Sequence, residues 1–300
     1  MVVATASVTI CPAFREVPMD VQFRFDDRIA IVTGAARGVG QQIVHRLVEA
    51  GASVVAADRD GDGLAETVAD LPGDRVMSVV ADISTPEGAS EIVSAATDRF
   101  GRLDVCVNNA AVAPHATLLE ERVDVWDTVY GVNCRGTFLM TQAAARAMVA
   151  AGTGGRIVNF SSGVSKRGSA GAACYASSRA AVESFTRVAA VELTQFGILV
   201  NCVSPGLIDT QPKPLPLRMA SALGRRIPTM PMARAGEPDE VASVVLFLCS
   251  DAASFITGSV VDVDGGTGVG VRFEGTSVPD DDPRYDWVTG RATDAVVHQT

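Results

Sequence analysis

The chain has 300 residues, 47% of them apolar, which is enough for one large core and argues for a single domain. A formal net charge of -10 argues against a nucleic-acid partner or an anionic membrane surface, because phosphate binding draws on clustered Lys and Arg. The six cysteines (Cys11, Cys106, Cys134, Cys174, Cys202 and Cys249) have no paired short spacing, so neither a metal site nor a disulfide framework is expected.

Residues 1–24 show no periodicity and include Pro12 and Pro18, the pattern of a loosely ordered arm. They carry no basic segment followed by an apolar one, and the chain holds no apolar run long enough to span a membrane, so a cytoplasmic protein is expected. From Arg28 onward, short apolar runs alternate with helix-length segments. Strands are expected at 28–33, 52–57, 75–80, 103–107, 156–160, 198–203 and 259–263. Helices are expected at 39–50, 63–71, 86–100, 125–151, 175–196 and 238–250. Strands that are apolar throughout imply a parallel sheet covered on both faces, hence a doubly wound α/β domain over 25–270 with a ligand crevice at the carboxyl ends of the strands.

Two segments break the alternation. Residues 211–238 hold six prolines among aliphatic side chains and read as a substrate lid, with an ordinary packed loop as the alternative. Residues 271–300, with Tyr285 and Trp287, form a tail that is either disordered or an arm reaching a neighbouring subunit.

The first strand runs into Thr33-Gly34-Ala35-Ala36-Arg37-Gly38-Val39-Gly40. Glycines here let the backbone approach a pyrophosphate, and the helix N-terminus offers free amide donors. Asp58, closing the second strand, is positioned to accept from the adenosine ribose hydroxyls and would repel a 2′-phosphate, which favours NAD. Arg37 and Arg59 can pair with that phosphate, which keeps NADP as the alternative.

The stretch from Ser162 to Arg179 supplies the chemistry. If Tyr175 opens a helix, Arg179 lies one turn along the same face, so a phenol sits in the field of a permanent cation. Ser162 can bring a hydroxyl beside it, the layout of a site that protonates a carbonyl oxygen. The three histidines, His45, His115 and His298, have no triad around them, and His115 is the best placed.

These motifs resemble the short-chain dehydrogenase/reductase family, in its one-domain branch that includes 3-oxoacyl-carrier-protein reductases. The resemblance spans about residues 26–268 and adds Ala81-Asp82-Ile83, Asn108-Asn109-Ala110-Ala111, Asn133, Asn159-Phe160-Ser161-Ser162 and Asn201 to Thr210. It implies a Rossmann-like fold of seven strands and an oxidoreductase moving hydride between a nicotinamide cofactor and a carbonyl or secondary alcohol. Carried over, Tyr175 is the general acid or base, Ser162 binds the substrate oxygen, and Asn133 joins a water relay. Asp82 holds the adenine amino group, with Ile83 beside it. Asn109 forms the adenine-side wall and braces the fourth strand, with Ala110 beside it, and Pro205, Gly206, Ile208 and Thr210 face the nicotinamide. A homodimer or homotetramer paired through the long helices is also implied. The aliphatic side chains of the expected lid suggest an apolar small molecule as substrate.

Two positions depart from the family. Ala111 replaces a glycine, and Arg179 replaces the lysine of Tyr-x-x-x-Lys. Arginine supplies the charge and can reach the ribose hydroxyls, but it stays protonated, so a relay through the lysine has to bypass it; Lys166 is the other nearby ammonium. The change leaves open a dehydratase, cyclase or isomerase on the same fold, and a non-catalytic NAD-binding regulator.

Overall fold

The structure, a computed structural model, describes residues 23–210, 224 and 226–271, together with the backbone of two short paired strands, β8 (Tyr285–Asp286) and β9 (Arg291–Ala292). Cys11, His298, Trp287, the arm before Phe23 and half of the expected lid (residues 211–223 and 225) lie outside the described residues.

Seven strands form one parallel sheet: β1 (Ile29–Thr33), β2 (Ser53–Asp58), β3 (Val76–Val80), β4 (Val105–Asn108), β5 (Gly155–Phe160), β6 (Ile198–Pro205) and β7 (Val260–Val263). Their spatial order is β3-β2-β1-β4-β5-β6-β7, so the chain reverses direction across the sheet between β1 and β4. That reversal opens a crevice at the carboxyl ends of the strands.

Alternation within each strand assigns the two faces. Ala30, Val32, Val54, Ala56, Val105 and Val107 point to one side, against α1 (Gly38–Glu49) and the last long helix, α7 (Pro238–Cys249). Ile29, Ile31, Val55, Ala57 and Cys106 point to the other, against α3 (Pro86–Phe100), α5 (Thr137–Ala151) and α6 (Ala173–Leu193). Both faces are dry, which is why the strands read as unbroken apolar runs. Among the described residues, α2 (Gly61–Val68) and α4 (Val123–Tyr130) are further α-helices.

Of the boundaries that shift from the sequence reading, three bear on the packing around the site. Packing begins before residue 25: the Phe23 ring sits 6.5 Å from that of Phe247, and the Phe25 amide donates to Ala50 O at 2.7 Å. The helix expected at 125–151 is α4, a π-helical segment over Gly131–Gly136, and α5 in succession. The helix expected to open at Tyr175 begins two residues earlier, at Ala173.

Candidate active site

At the end of β1 the turn is held by backbone geometry. Gly34 has φ +67, and a Cβ there would lie 2.7 Å from both Ala110 Cα and Asn109 Nδ2. A side chain at Gly40 would run into the Gly34 carbonyl, so only glycine lets α1 start this close to the strand. Asn109 Nδ2 donates to Thr33 O and Gly34 O, both at 3.0 Å, and the Ala110 amide donates to Thr33 Oγ1 at 3.2 Å. The Asn109 amide is thus committed to bracing the turn, while its residue lines the cleft.

That cleft has a volume of about 450 Å³. It runs from the Gly34–Val39 turn past Asp58 and Asp82 to Ile83, and Thr210 lines it beside the turn. The residues present fit a dinucleotide: a side-chain-free turn at a helix N-terminus for the phosphates, and a carboxylate at the end of β2 for a ribose. Asp58 accepts from the Ala36 amide at 3.2 Å and the Asp60 amide at 3.1 Å, which fixes its carboxylate at the wall. Arg37 and Arg59 line the same wall with exposed side chains. Asp82 accepts from the Ser84 amide at 2.8 Å, and the Ser84 backbone and hydroxyl hold its carboxyl below the usual range. Val39 and Ala110 belong to the cleft, as does Ala111, whose exposed methyl the space accommodates. Thr210 lies against the turn, its Cγ2 3.2 Å from where a Cβ on Gly38 would sit. Gly206 passes so close to Asp264 that a Cβ would lie 2.7 Å from its Cα. Ile208 pairs with Gly236 in a short parallel bridge, and Pro205 ends β6.

The second wall is built by β5 and α6. Ser162 follows β5 with extended backbone, φ -162, at the head of a 3₁₀ turn (Gly163–Lys166) that its side chain does not cap. Tyr175 occupies the first turn of α6, half-buried, and Arg179 follows one turn later. The Arg179 guanidinium carbon lies 5.3 Å from the centroid of the Tyr175 ring. Arg179 is only 2% exposed, and its Nη1 donates to Phe160 O at 2.8 Å, while its Nε is buried without a partner. The spacing of four therefore does bring phenol and cation together. One donor expected at a ribose is spent instead on the end of β5, because a buried guanidinium has to find acceptors where it can.

Lys166 is committed elsewhere: its ammonium pairs with both carboxylate oxygens of Asp262, at 2.5 and 2.7 Å, and cannot stand in for the family's lysine. Asn133 lies in the π-helical segment, fully buried. Its Nδ2 donates to Val112 O and Ser178 Oγ, and its Oδ1 accepts from the Val112 amide, each at 3.0 Å. The Asn133 side chain thereby ties the loop after β4 to α6. Its carbonyl accepts from Thr137 Oγ1 at 2.8 Å. Ser178, which the sequence reading passed over, completes this tie and also donates to Tyr175 O at 2.7 Å. Its only sequence signal is a hydroxyl three residues after Tyr175, on the buried side of a helix.

His115 is exposed and pairs with Gly171 O at 3.2 Å, and His45 pairs with Thr67 O at 2.9 Å, so neither is part of a triad. No group of three or more metal-ligating side chains occurs among the described residues, and their five cysteines are unpaired. Burial pushes the Cys106 and Cys202 thiols up to about 12, which makes them inert packing.

Fold and cleft together define a dinucleotide-dependent oxidoreductase. Residues 34–268 match the family model described as enoyl-(acyl carrier protein) reductase. The chain is 37% identical over 246 residues to the 3-oxoacyl-[acyl-carrier-protein] reductase FabG of Thermotoga maritima, covering 81% of this chain and 98% of that one. It is 38% identical over 259 residues to the mouse (3R)-3-hydroxyacyl-CoA dehydrogenase, covering 83% and 99%. The crystal structure of levodione reductase superposes with a TM-score of 0.75 at 33% identity, covering 82% of this chain and 99% of that one. The chain belongs to the short-chain dehydrogenase/reductase family. It is an oxidoreductase that uses a nicotinamide cofactor on a carbonyl or secondary alcohol.

Proposed function

We propose that this chain transfers hydride between NAD(H) and an apolar ketone or secondary alcohol, with Tyr175 moving the proton at the substrate oxygen. The observation that carries this reading is the Arg179 guanidinium seated 5.3 Å from the Tyr175 ring centroid, one turn along α6. Bound in the cleft, the nicotinamide supplies or accepts the hydride. Ser162 donates a hydrogen bond to the substrate oxygen and sets the distance to Tyr175. Arg179 keeps a permanent positive charge over the Tyr175 ring face. Asn133, through Val112 and Ser178, holds the two walls of the site in register. Asp58 accepts from the adenosine ribose hydroxyls and places a negative charge where NADP carries a phosphate, which supports NAD over NADP. Asp82 and Ile83 serve the adenine end, and Pro205, Gly206, Ile208 and Thr210 the nicotinamide end.

Two relatives carry names for chemistry at the 3-position of acyl thioesters, so acetoacetyl-CoA is the first substrate to try. No described helix is long and apolar enough to cross a membrane, which agrees with a cytoplasmic enzyme. The test is NADH oxidation over a panel of ketones and thioesters beside the same assay with Tyr175→Phe. Turnover on at least one ketone that falls by about 10²–10⁴ in the variant supports the assignment. Turnover that survives the substitution refutes it.

A further inference from the structure

Glu183 is a carboxyl group that neither the cofactor cleft nor the proton transfer uses. It sits on α6, one turn beyond Arg179, and is 9% exposed. Its neighbours along the helix are Val182 and Thr186, both buried, so packing alone would be served by an aliphatic side chain. A buried carboxyl costs free energy unless its oxygens accept hydrogen bonds. Oε1 accepts two: from Ser161 Oγ at 2.6 Å and from Ser165 Oγ at 2.5 Å. These two serines bracket Ser162 in the chain. The Ser165 amide in turn donates to Ser162 O at 2.9 Å, closing the 3₁₀ turn Gly163–Lys166. One acceptor atom on α6 therefore holds both ends of the segment that presents Ser162, on the same helix that presents Tyr175.

We propose that Glu183 is a positioning residue that latches the Ser162 segment to α6 through Ser161 and Ser165, and so fixes the Ser162 hydroxyl against the Tyr175 phenol. The latch rests on the ketoreductase reading above for its consequence in turnover, though not for its existence. Its agent is the acceptor geometry of Oε1. Glutamine keeps that oxygen and satisfies both serines, whereas alanine removes the acceptor the two hydroxyls share and leaves Ser161 with only the longer bond to Arg179 O at 3.3 Å.

The full-length chain is compared with Glu183→Ala, Glu183→Gln and Ser165→Ala by steady-state kinetics on NADH and acetoacetyl-CoA, NADH binding by fluorescence, and amide hydrogen exchange over residues 162–166. Glu183→Ala is expected to lower kcat about tenfold while changing NADH affinity less than about twofold, since only the orientation of Ser162 is lost. Glu183→Gln should recover kcat to within about threefold of the parent, with Ser165→Ala between the two. Exchange at the Ser165 amide should quicken about tenfold in Glu183→Ala, reporting a looser turn without reference to any substrate. Unchanged kcat and unchanged exchange in Glu183→Ala would overturn the latch, and so would a Glu183→Gln protein as impaired as the alanine variant. If the parent turns over no ketone, the functional reading fails, and the exchange data alone decide the latch. Should Glu183→Ala not fold, Ser165→Ala carries the same comparison, and exchange equal to the parent's refutes it.

Discussion

Arg179 shows how far a single residue can be read from spacing. The interval of four from Tyr175 implies adjacency of phenol and cation, and the guanidinium does lie over the ring. Spacing carries no information on which acceptor a buried donor will choose, and Arg179 turns one nitrogen to Phe160 O. A lysine has no planar head to cover the ring and reach that carbonyl together, but it retains a charge. Arg179→Lys is therefore expected to keep kcat within about tenfold, and Arg179→Met to lose about 10²-fold, because only the latter removes the cation from the ring face. Equal losses in the two, measured as kcat at saturating cofactor, would mean that shape matters and charge does not. At the other end of the cleft, Asp58 is pinned by two backbone amides and cannot swing away from a 2′-phosphate. Asp58→Ser should raise kcat/KM for NADPH relative to NADH about tenfold or more, with Arg37 and Arg59 free to meet the phosphate. No change in that ratio would remove Asp58 from cofactor selection.

At the scale of elements, the strands were legible because both faces of the sheet are buried and leave no alternation to misread. The π-helical segment at Gly131–Gly136 was not, since one inserted residue hardly disturbs an apolar pattern of period 3.6. Asn133, a polar residue facing the core, was its only mark. Helix α7 illustrates a terminus built by charge. Arg234 makes two bonds to the Glu240 carboxylate, each at 2.7 Å, and Glu240 also accepts from the Glu237 amide at 2.8 Å. Bonding to Arg234, aided by the Glu237 amide and opposed by burial, holds the Glu240 carboxyl below its ordinary range. A carboxyl lowered in the folded state stabilises the fold at pH above its unfolded value, about 4.3, and that contribution is lost as pH falls through the folded value. Glu240→Gln should thus cost about 0.5–1 kcal/mol at pH 7 by urea denaturation, the pair being partly solvent-screened, with the difference from the parent shrinking toward pH 3. A difference that grows on acidification would contradict the sign.

For the whole molecule, the helices α5 and α6 leave apolar surface outside. Phe138, 42% exposed, meets Phe185 edge-on with centroids 6.0 Å apart, and Val188 and Val191 are 54% and 81% exposed. Phe138, Phe185 and Val188 line a cavity of about 390 Å³ between the two helices. Such a patch is expected to be covered by a second copy, giving a dimer or tetramer by light scattering at micromolar concentration, and a monomer would refute that arrangement. A crevice at a reversal of strand order was expected from the alternation of strands and helices, but its place between β1 and β4 was not legible, and the Glu183 latch joins side chains about twenty positions apart with no signature of spacing. The most direct test of the central claim is a single-turnover measurement of NADH oxidation, with enzyme in excess of a ketone substrate, in the parent and in Tyr175→Phe. With Tyr175 as the proton-transfer group, the variant binds NADH as the parent does while its oxidation rate drops by about 10²–10⁴. A variant that oxidises NADH at the parent's rate would place the proton transfer on some other residue.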